Sequence, residues 1–241
     1  MSNEVGAHGS APAPVPPSLL CAVIVTGGVV GDDAFVRAHC AAADLLIAAD
    51  AGALVLERLG VVPDLAVGDF DTAGPEIVAR LTAAGIPTET HSMAKDYTDT
   101  HLAIVIAIAR GATEIVVLGA LGGPRYDHML ATALSLAAPA FAGVRILLVD
   151  PLHSMLVLRP GESVALHGTP GEYVSLLALT EEVTGVSGDG LLYLLPAIFR
   201  LGDNIGVSNE LIVPEAMVSV GGSGILLVIH THQSKAVVGP A

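Results

Sequence analysis

The chain has 241 residues, 52% hydrophobic and 14% charged, which is enough apolar material for a sizeable core and excludes a disordered chain. Its formal net charge is −14 and it has two lysines, Lys95 and Lys235, a balance that speaks against nucleic acid, whose phosphates are met mainly by Lys and Arg. No apolar run reaches membrane-spanning length, Met-Ser-Asn-Glu lacks a basic signal region, and Cys21 and Cys40 suggest neither a disulfide framework nor a zinc site, so a soluble cytoplasmic protein with no membrane partner is expected.

Residues 1–18 end in Ala-Pro-Ala-Pro-Val-Pro-Pro-Ser, a composition that builds no core and is expected to be a disordered tail. Buried strands follow at 20–26, 45–49, 65–67, 115–118 and 145–149, alternating with helices at 33–43, 52–59, 75–84, 99–110 and 127–138. Continuous apolar strands separated by helices predict an α/β domain over 19–150, a Rossmann-like, mostly parallel sheet flanked by helices. From 151 to 241 the pattern changes. Segments near 154–158, 162–167, 172–179, 190–195, 206–213, 216–220 and 224–230 are short and divided by Gly, Pro, Asp and Asn, which predicts a C-terminal all-β sandwich.

In a parallel sheet ligands bind outside the carboxyl ends of the strands, and the polar residues of this chain collect there. Gly68-Asp69-Phe70-Asp71-Thr72 ends the third strand with two carboxylates two residues apart, projecting the same way. Such a pair suits Mg2+, and equally an Asp-rich turn. Asp50 follows the second strand as a helix N-cap or a ligand. Lys95-Asp96-Tyr97-Thr98-Asp99 precedes the fourth helix, where caps and an anion site both fit. The loop Gly119-Ala120-Leu121-Gly122-Gly123-Pro124-Arg125-Tyr126-Asp127-His128 allows close approach of phosphate, with Arg125 able to hold a phosphoryl oxygen, and it lacks the Walker ending. In the β half, Ser208-Asn209 supplies neutral donors and acceptors for a heterocycle edge, or a plain turn. His230-Thr231-His232 has metal-compatible spacing on a strand, with no third ligand evident in the sequence.

Taken in order, these clusters resemble the thiamine pyrophosphokinase (thiamin diphosphokinase) family. The matching pieces are Ala49-Asp50-Ala51-Gly52, Pro63-Asp64 with Gly68-Asp69-Phe70-Asp71-Thr72, Lys95-Asp96-Tyr97-Thr98-Asp99, Gly122-Gly123-Pro124-Arg125-Tyr126-Asp127-His128 and Ser208-Asn209. The resemblance implies Mg2+-dependent transfer of a diphosphoryl group from ATP to the thiamine hydroxyl, in a homodimer whose sandwich binds thiamine near the subunit interface. It implies Asp69, Asp71 and Asp99 as metal ligands, with Asp50 and Asp96 close by and Asp96 among the catalytic groups. Arg125 and Lys95 would hold phosphates, Thr98, Gly122, Gly123, Asp127 and His128 would complete the nucleotide side, and Tyr193, Ser208 and Asn209 would receive thiamine. Ala51 stands where the family has glycine, Thr72 where it has serine, and Pro124 separates Gly123 from Arg125. The alternatives are a diphosphokinase for another hydroxymethyl heterocycle such as a pterin, and a non-catalytic nucleotide- or thiamine-binding regulator.

Overall fold

A computed structural model describes residues 20–89 and 97–232. The first half alternates strictly: β1 (Cys21–Val25), α1 (Asp33–Ala41), β2 (Leu45–Ala49), α2 (Gly52–Leu59), β3 (Leu65–Val67), α3 (Pro75–Ala83), β4 (Thr88–Glu89), α4 (Asp99–Ala109), β5 (Glu114–Leu118), α5 (Tyr126–Ser135) and β6 (Arg145–Val149). The helices start and stop on local chemistry. Asp32 caps α1 by accepting from the Ala34 and Phe35 N–H groups, Pro75 opens α3, and Thr98 caps α4 through the His101 N–H. Gly60 ends α2 in the left-handed conformation, at φ 62°.

The β half runs β7 (His153–Leu158), β8 (Ser163–His167), β9 (Tyr173–Ala178), β10 (Glu182–Thr184), β11 (Val186–Asp189), β12 (Ile198–Arg200), β13 (Asn209–Glu210), β14 (Glu215–Val220) and β15 (Leu226–Thr231). The segment at 190–195 is not a strand as predicted. It is a strap joined to the sheet by one bridge, Leu191 to Leu211, and most of 206–213 is turn. Gly190 turns the chain at φ 77° and Pro196 removes a donor, so the apolar run Leu191–Leu195 never pairs along its length.

One ten-stranded sheet, β13-β9-β15-β7-β6-β5-β1-β2-β3-β4, crosses both halves. From β6 to β4 the pairings are parallel, and from β6 through β7 to β13 antiparallel. A three-stranded sheet, β11-β14-β8, lies over the antiparallel end. Each layer has its own core. On β1, Ala22 and Ile24 pack on one face with Ile47, Ile104 and Phe141, and Val23 and Val25 on the other with Leu56, Phe70 and Ile77. The sandwich closes on Leu156, Leu158, Leu176, Phe199, Val218 and Val228. Burying one such side chain stabilises the fold by about 1.5–3 kcal/mol, so strands without alternation form because both faces are covered.

The strand order fixes where a ligand can enter. β1 lies between β5 and β2, so the crossovers from β1 and from β5 depart to opposite sides and leave a crevice at their carboxyl ends.

Candidate active site

A cleft of about 810 Å³ occupies this crevice, lined by the ends of β1, β2, β3 and β5 and by the starts of α4 and α5. Its floor is built from close backbone contacts. A Cβ on Gly28 would stand 2.0 Å from the Gly119 carbonyl oxygen, and one on Gly52 would stand 1.8 Å from that of Val25, so only glycine fits at either position.

The acidic wall begins at β3. Phe70 is buried, 3% exposed, and holds a left-handed backbone at φ 56°, while Asp69 and Asp71 on either side of it are exposed. Burying the ring between them turns both carboxylates out to the same side. The turn is braced by the Asp71 N–H donating to Asp69 Oδ1 at 3.1 Å and by the Thr72 hydroxyl donating to Asp71 Oδ1 at 3.0 Å. Asp64, in the same motif, is structural: it accepts the Leu46 N–H at 2.8 Å and pins β3 to β2.

Asp50 does not cap α2. The cap position is Ala51, with no side-chain hydrogen bond, and Asp50 itself is left-handed at φ 44°. A non-glycine residue in that region carries strain, and here the strained turn aims the carboxylate at the β3 loop, where it accepts the Ala73 N–H at 3.4 Å. One carboxylate oxygen from each of Asp50, Asp69 and Asp71 lies within 4.8 Å of the others. Asp99, the first residue of α4, closes the group: a Cβ on Gly68 would meet both Asp50 and Asp99 Oδ1 at 3.2 Å. The oxygen-only donor set fits a hard divalent cation.

The crowding is visible in Asp99, whose carboxyl is pushed above the usual range first by burial and then by the charges of Asp50 and Asp69, against a hydrogen bond from the Asp69 backbone. A carboxyl raised in the folded state contributes stability that is fully present below its unfolded value, about 3.9, and is lost as pH rises through the folded value. Without metal, Asp99→Asn is therefore expected to be more stable than the parent at pH 7, with the gain vanishing near pH 4. Thermal unfolding in chelator at both pH values checks this. No gain at pH 7 would mean that the cluster is not under charge strain.

The basic side of the cleft comes from the loop after β5. Gly122 and Gly123 have positive φ, 74° and 84°, and Arg125 and His128 are exposed on the cleft wall. Arg125 grips Asp127 with Nε to Oδ1 at 2.9 Å and Nη2 to Oδ2 at 2.7 Å. That pairing holds the Asp127 carboxyl well below its ordinary value and raises Arg125. Asp127 thus orients the arginine and is not itself part of the cleft wall. Thr98 lines the cleft, and its hydroxyl oxygen is engaged as the α4 cap. Lys95 and Asp96 lie outside the described residues.

Residues 151–232 supply none of the lining of the cleft. Ser208 is exposed, left-handed at φ 59°, and its N–H donates to Ser175 Oγ at 3.1 Å. Asn209, expected to read a heterocycle, is 4% exposed and holds the strap: Oδ1 accepts from the Tyr193 and Glu210 N–H groups, both at 2.9 Å, and Nδ2 donates to the Tyr193 carbonyl at 2.8 Å. Its amide is committed to positioning Tyr193, which stands 58% exposed. Asn209→Ala is expected to cost about 1 kcal/mol, because it removes three hydrogen bonds from partly buried backbone groups. Denaturant unfolding measures it; a loss under a few tenths would release Asn209 from this role.

The catalytic-domain model of thiamin pyrophosphokinase matches residues 36–148, and the vitamin B1 binding domain model of the same family matches residues 163–223, together well over half of the chain. The chain belongs to the thiamin pyrophosphokinase family. It is 29% identical over 188 residues to thiamine pyrophosphokinase of Bacillus subtilis (strain 168), covering 78% of this chain and 87% of that one. The crystal structure of thiamine pyrophosphokinase from Bacillus subtilis superposes with a TM-score of 0.75 at 26% identity, over 89% of this chain and all of that one. That from Geobacillus thermodenitrificans gives 0.74 at 28%, over 90% and 100%. Yeast thiamin pyrophosphokinase, 12% identical with a TM-score of 0.72 over 90% and 87%, shares the fold.

Thr26, Gly27 and Gly28, outside the motifs that carry the family resemblance, also line the cleft beside Asp50. The double glycine after β1 was the available signal. Its importance depends on β1 sitting beside β5, and strand order is not written in the local sequence.

Proposed function

We propose that this protein is an ATP:thiamine diphosphotransferase. The observation that carries the reading is four carboxylates and a glycine-rich loop bearing Arg125 facing each other across one cleft at the sheet's switch point, in a chain of the thiamin pyrophosphokinase family.

ATP would lie with its phosphates between the glycine loops and the carboxylates. Asp50, Asp69, Asp71 and Asp99 would hold Mg2+, which when bound would offset the charge of the phosphates. Arg125, kept in place by Asp127, neutralises phosphate charge from the opposite wall. The thiamine hydroxyl oxygen attacks the β-phosphorus and loses its proton, the bond from that phosphorus to the oxygen bridging the α-phosphate breaks, and AMP leaves. The protein's contribution is positioning and electrostatics.

The acceptor would arrive from a partner subunit. β13, which carries Asn209, lies six strands from β1 in the sheet, which at about 4.8 Å per strand is on the order of 30 Å from the cleft. The same half exposes Leu192, Tyr193, Leu194, Ile205, Val207 and Ile212, with Leu194 fully exposed, a patch suited to a second copy of the chain. A homodimer would bring this patch and its thiamine site to the partner's cleft. Leu194→Asp with Ile205→Asp is expected to give monomers by light scattering and to lower turnover at least about 100-fold. Monomers with full activity would refute the shared site.

The acceptor is tested by AMP release with Mg-ATP and either thiamine or a hydroxymethylpterin. Thiamine-dependent AMP is expected; release with the pterin alone would reassign the acceptor. A cytoplasmic location goes with this chemistry, and no helix among the described residues is long and apolar enough to cross a membrane.

A further inference from the structure

Three ionisable side chains meet at one end of the sandwich core. Glu172 is buried, its side chain 7% exposed, and Oε2 lies 2.8 Å from His230 Nε2 and 3.3 Å from His232 Nδ1. His230 is 3% exposed at its side chain and His232 34%, and their rings stand 4.1 Å apart at 56°.

Register explains the meeting. β15 pairs antiparallel with β9, placing His230 opposite Val174, so Glu172, two residues before Val174, shares that face. Alternation puts His230 and His232 on the same face as Val228, at the end of the sandwich core. The backbone makes room for them: a Cβ on Gly168 would stand 2.2 Å from Glu172 Oε2 and 2.9 Å from His230 Cε1. The His232 N–H donates to the Leu152 carbonyl at 2.7 Å, which fixes the end of β15.

We propose that Glu172, His230 and His232 form a second metal site, distinct from the carboxylate cleft, that takes a divalent first-row transition ion, Zn2+ foremost, and ties the start of β9 to the end of β15. One ligand atom from each residue lies within 4.8 Å of the other two. Bonds of about 2.0–2.2 Å in a tetrahedral site set ligand-to-ligand separations of roughly 3.3–3.5 Å, so small side-chain adjustments admit the ion. Two imidazoles and one carboxylate form a borderline donor set, which prefers Zn2+ to Mg2+, whereas the all-oxygen cleft prefers Mg2+. The half-exposed His232 edge gives the ion a way in and leaves a position for water. None of the three residues lines the cleft, so the site stands whatever acceptor the cleft serves.

The test uses the full chain without a tag, stripped with chelator and then exchanged into Zn2+ in excess Mg2+. Retained zinc is measured by elemental analysis after gel filtration, and affinity by competition with a chromophoric chelator. One Zn2+ per chain is expected, kept by Asp71→Asn and weakened at least roughly 100-fold by His232→Asn, above the range seen when an outer-shell partner is lost. Because β15 is a core strand, wild-type protein carries an independent readout: Zn2+ should shift the imidazole NMR signals of His230 and His232. No retained zinc, equal affinity in His232→Asn, loss in Asp71→Asn, or unmoved imidazole signals would each overturn the proposal.

Discussion

Asp71→Asn is expected to lower turnover by about 10³-fold while the protein stays folded, the scale seen when one preorganised electrostatic group is removed from an active site. The carboxylate is exposed at the end of β3 and its neighbours are polar, so its loss opens no cavity. It stands within 4.8 Å of its counterparts on Asp50 and Asp69, so removing a negative charge relieves repulsion in the metal-free protein and weakens the hold on a cation. Unchanged or raised thermal stability beside lost activity is the expected pair of results. Turnover within a few-fold of the parent would take Asp71 out of the site, and a collapse in stability would make its role structural.

Gly28→Ala should act on both fold and activity. The added Cβ would lie 2.0 Å from the Gly119 carbonyl oxygen, a backbone atom that cannot swing aside as a flexible side chain can. Either the β1 turn or the β5 turn must move, at an expected cost of about 1–3 kcal/mol for an overpacked contact. Because both turns line the cleft, apparent affinity for ATP should fall as well, with KM rising more than kcat falls. Denaturant unfolding and ATP titrations measure the two effects. Wild-type values in both would mean that the glycine loops do not bear on the nucleotide.

These variants divide what the sequence exposed from what it concealed. The Gly68-Asp69-Phe70-Asp71 stretch stands out locally by two carboxylates on either side of one apolar ring; in the structure both are exposed, and a turn in which Phe70 is left-handed holds them, not strand alternation, because β3 ends at Val67. Asp50 was ambiguous between cap and ligand. The choice turns on its left-handed backbone, which follows from how β2 meets α2. Asp127 and Asn209 look like ligands by residue type, but one spends its carboxylate on Arg125 and the other its amide on Tyr193. Hydrogen-bond partners of that kind depend on loop conformation. The partner of His230 and His232 lies 58 and 60 residues away at Glu172, joined by the β9–β15 register, so a search for local spacing could not find it. The alternation of strands and helices was plain in the hydrophobic pattern. The strap after Gly190 was not, since an exposed apolar run reads like one buried in a sheet.

The most direct measurement of the central claim is product analysis by 31P NMR after incubating the protein with Mg-ATP and thiamine. Equal amounts of AMP and thiamine diphosphate, formed only when thiamine is present and about 10³-fold more slowly by Asp71→Asn, are the predicted result. ADP with thiamine monophosphate, or nucleotide hydrolysis independent of thiamine, would contradict it.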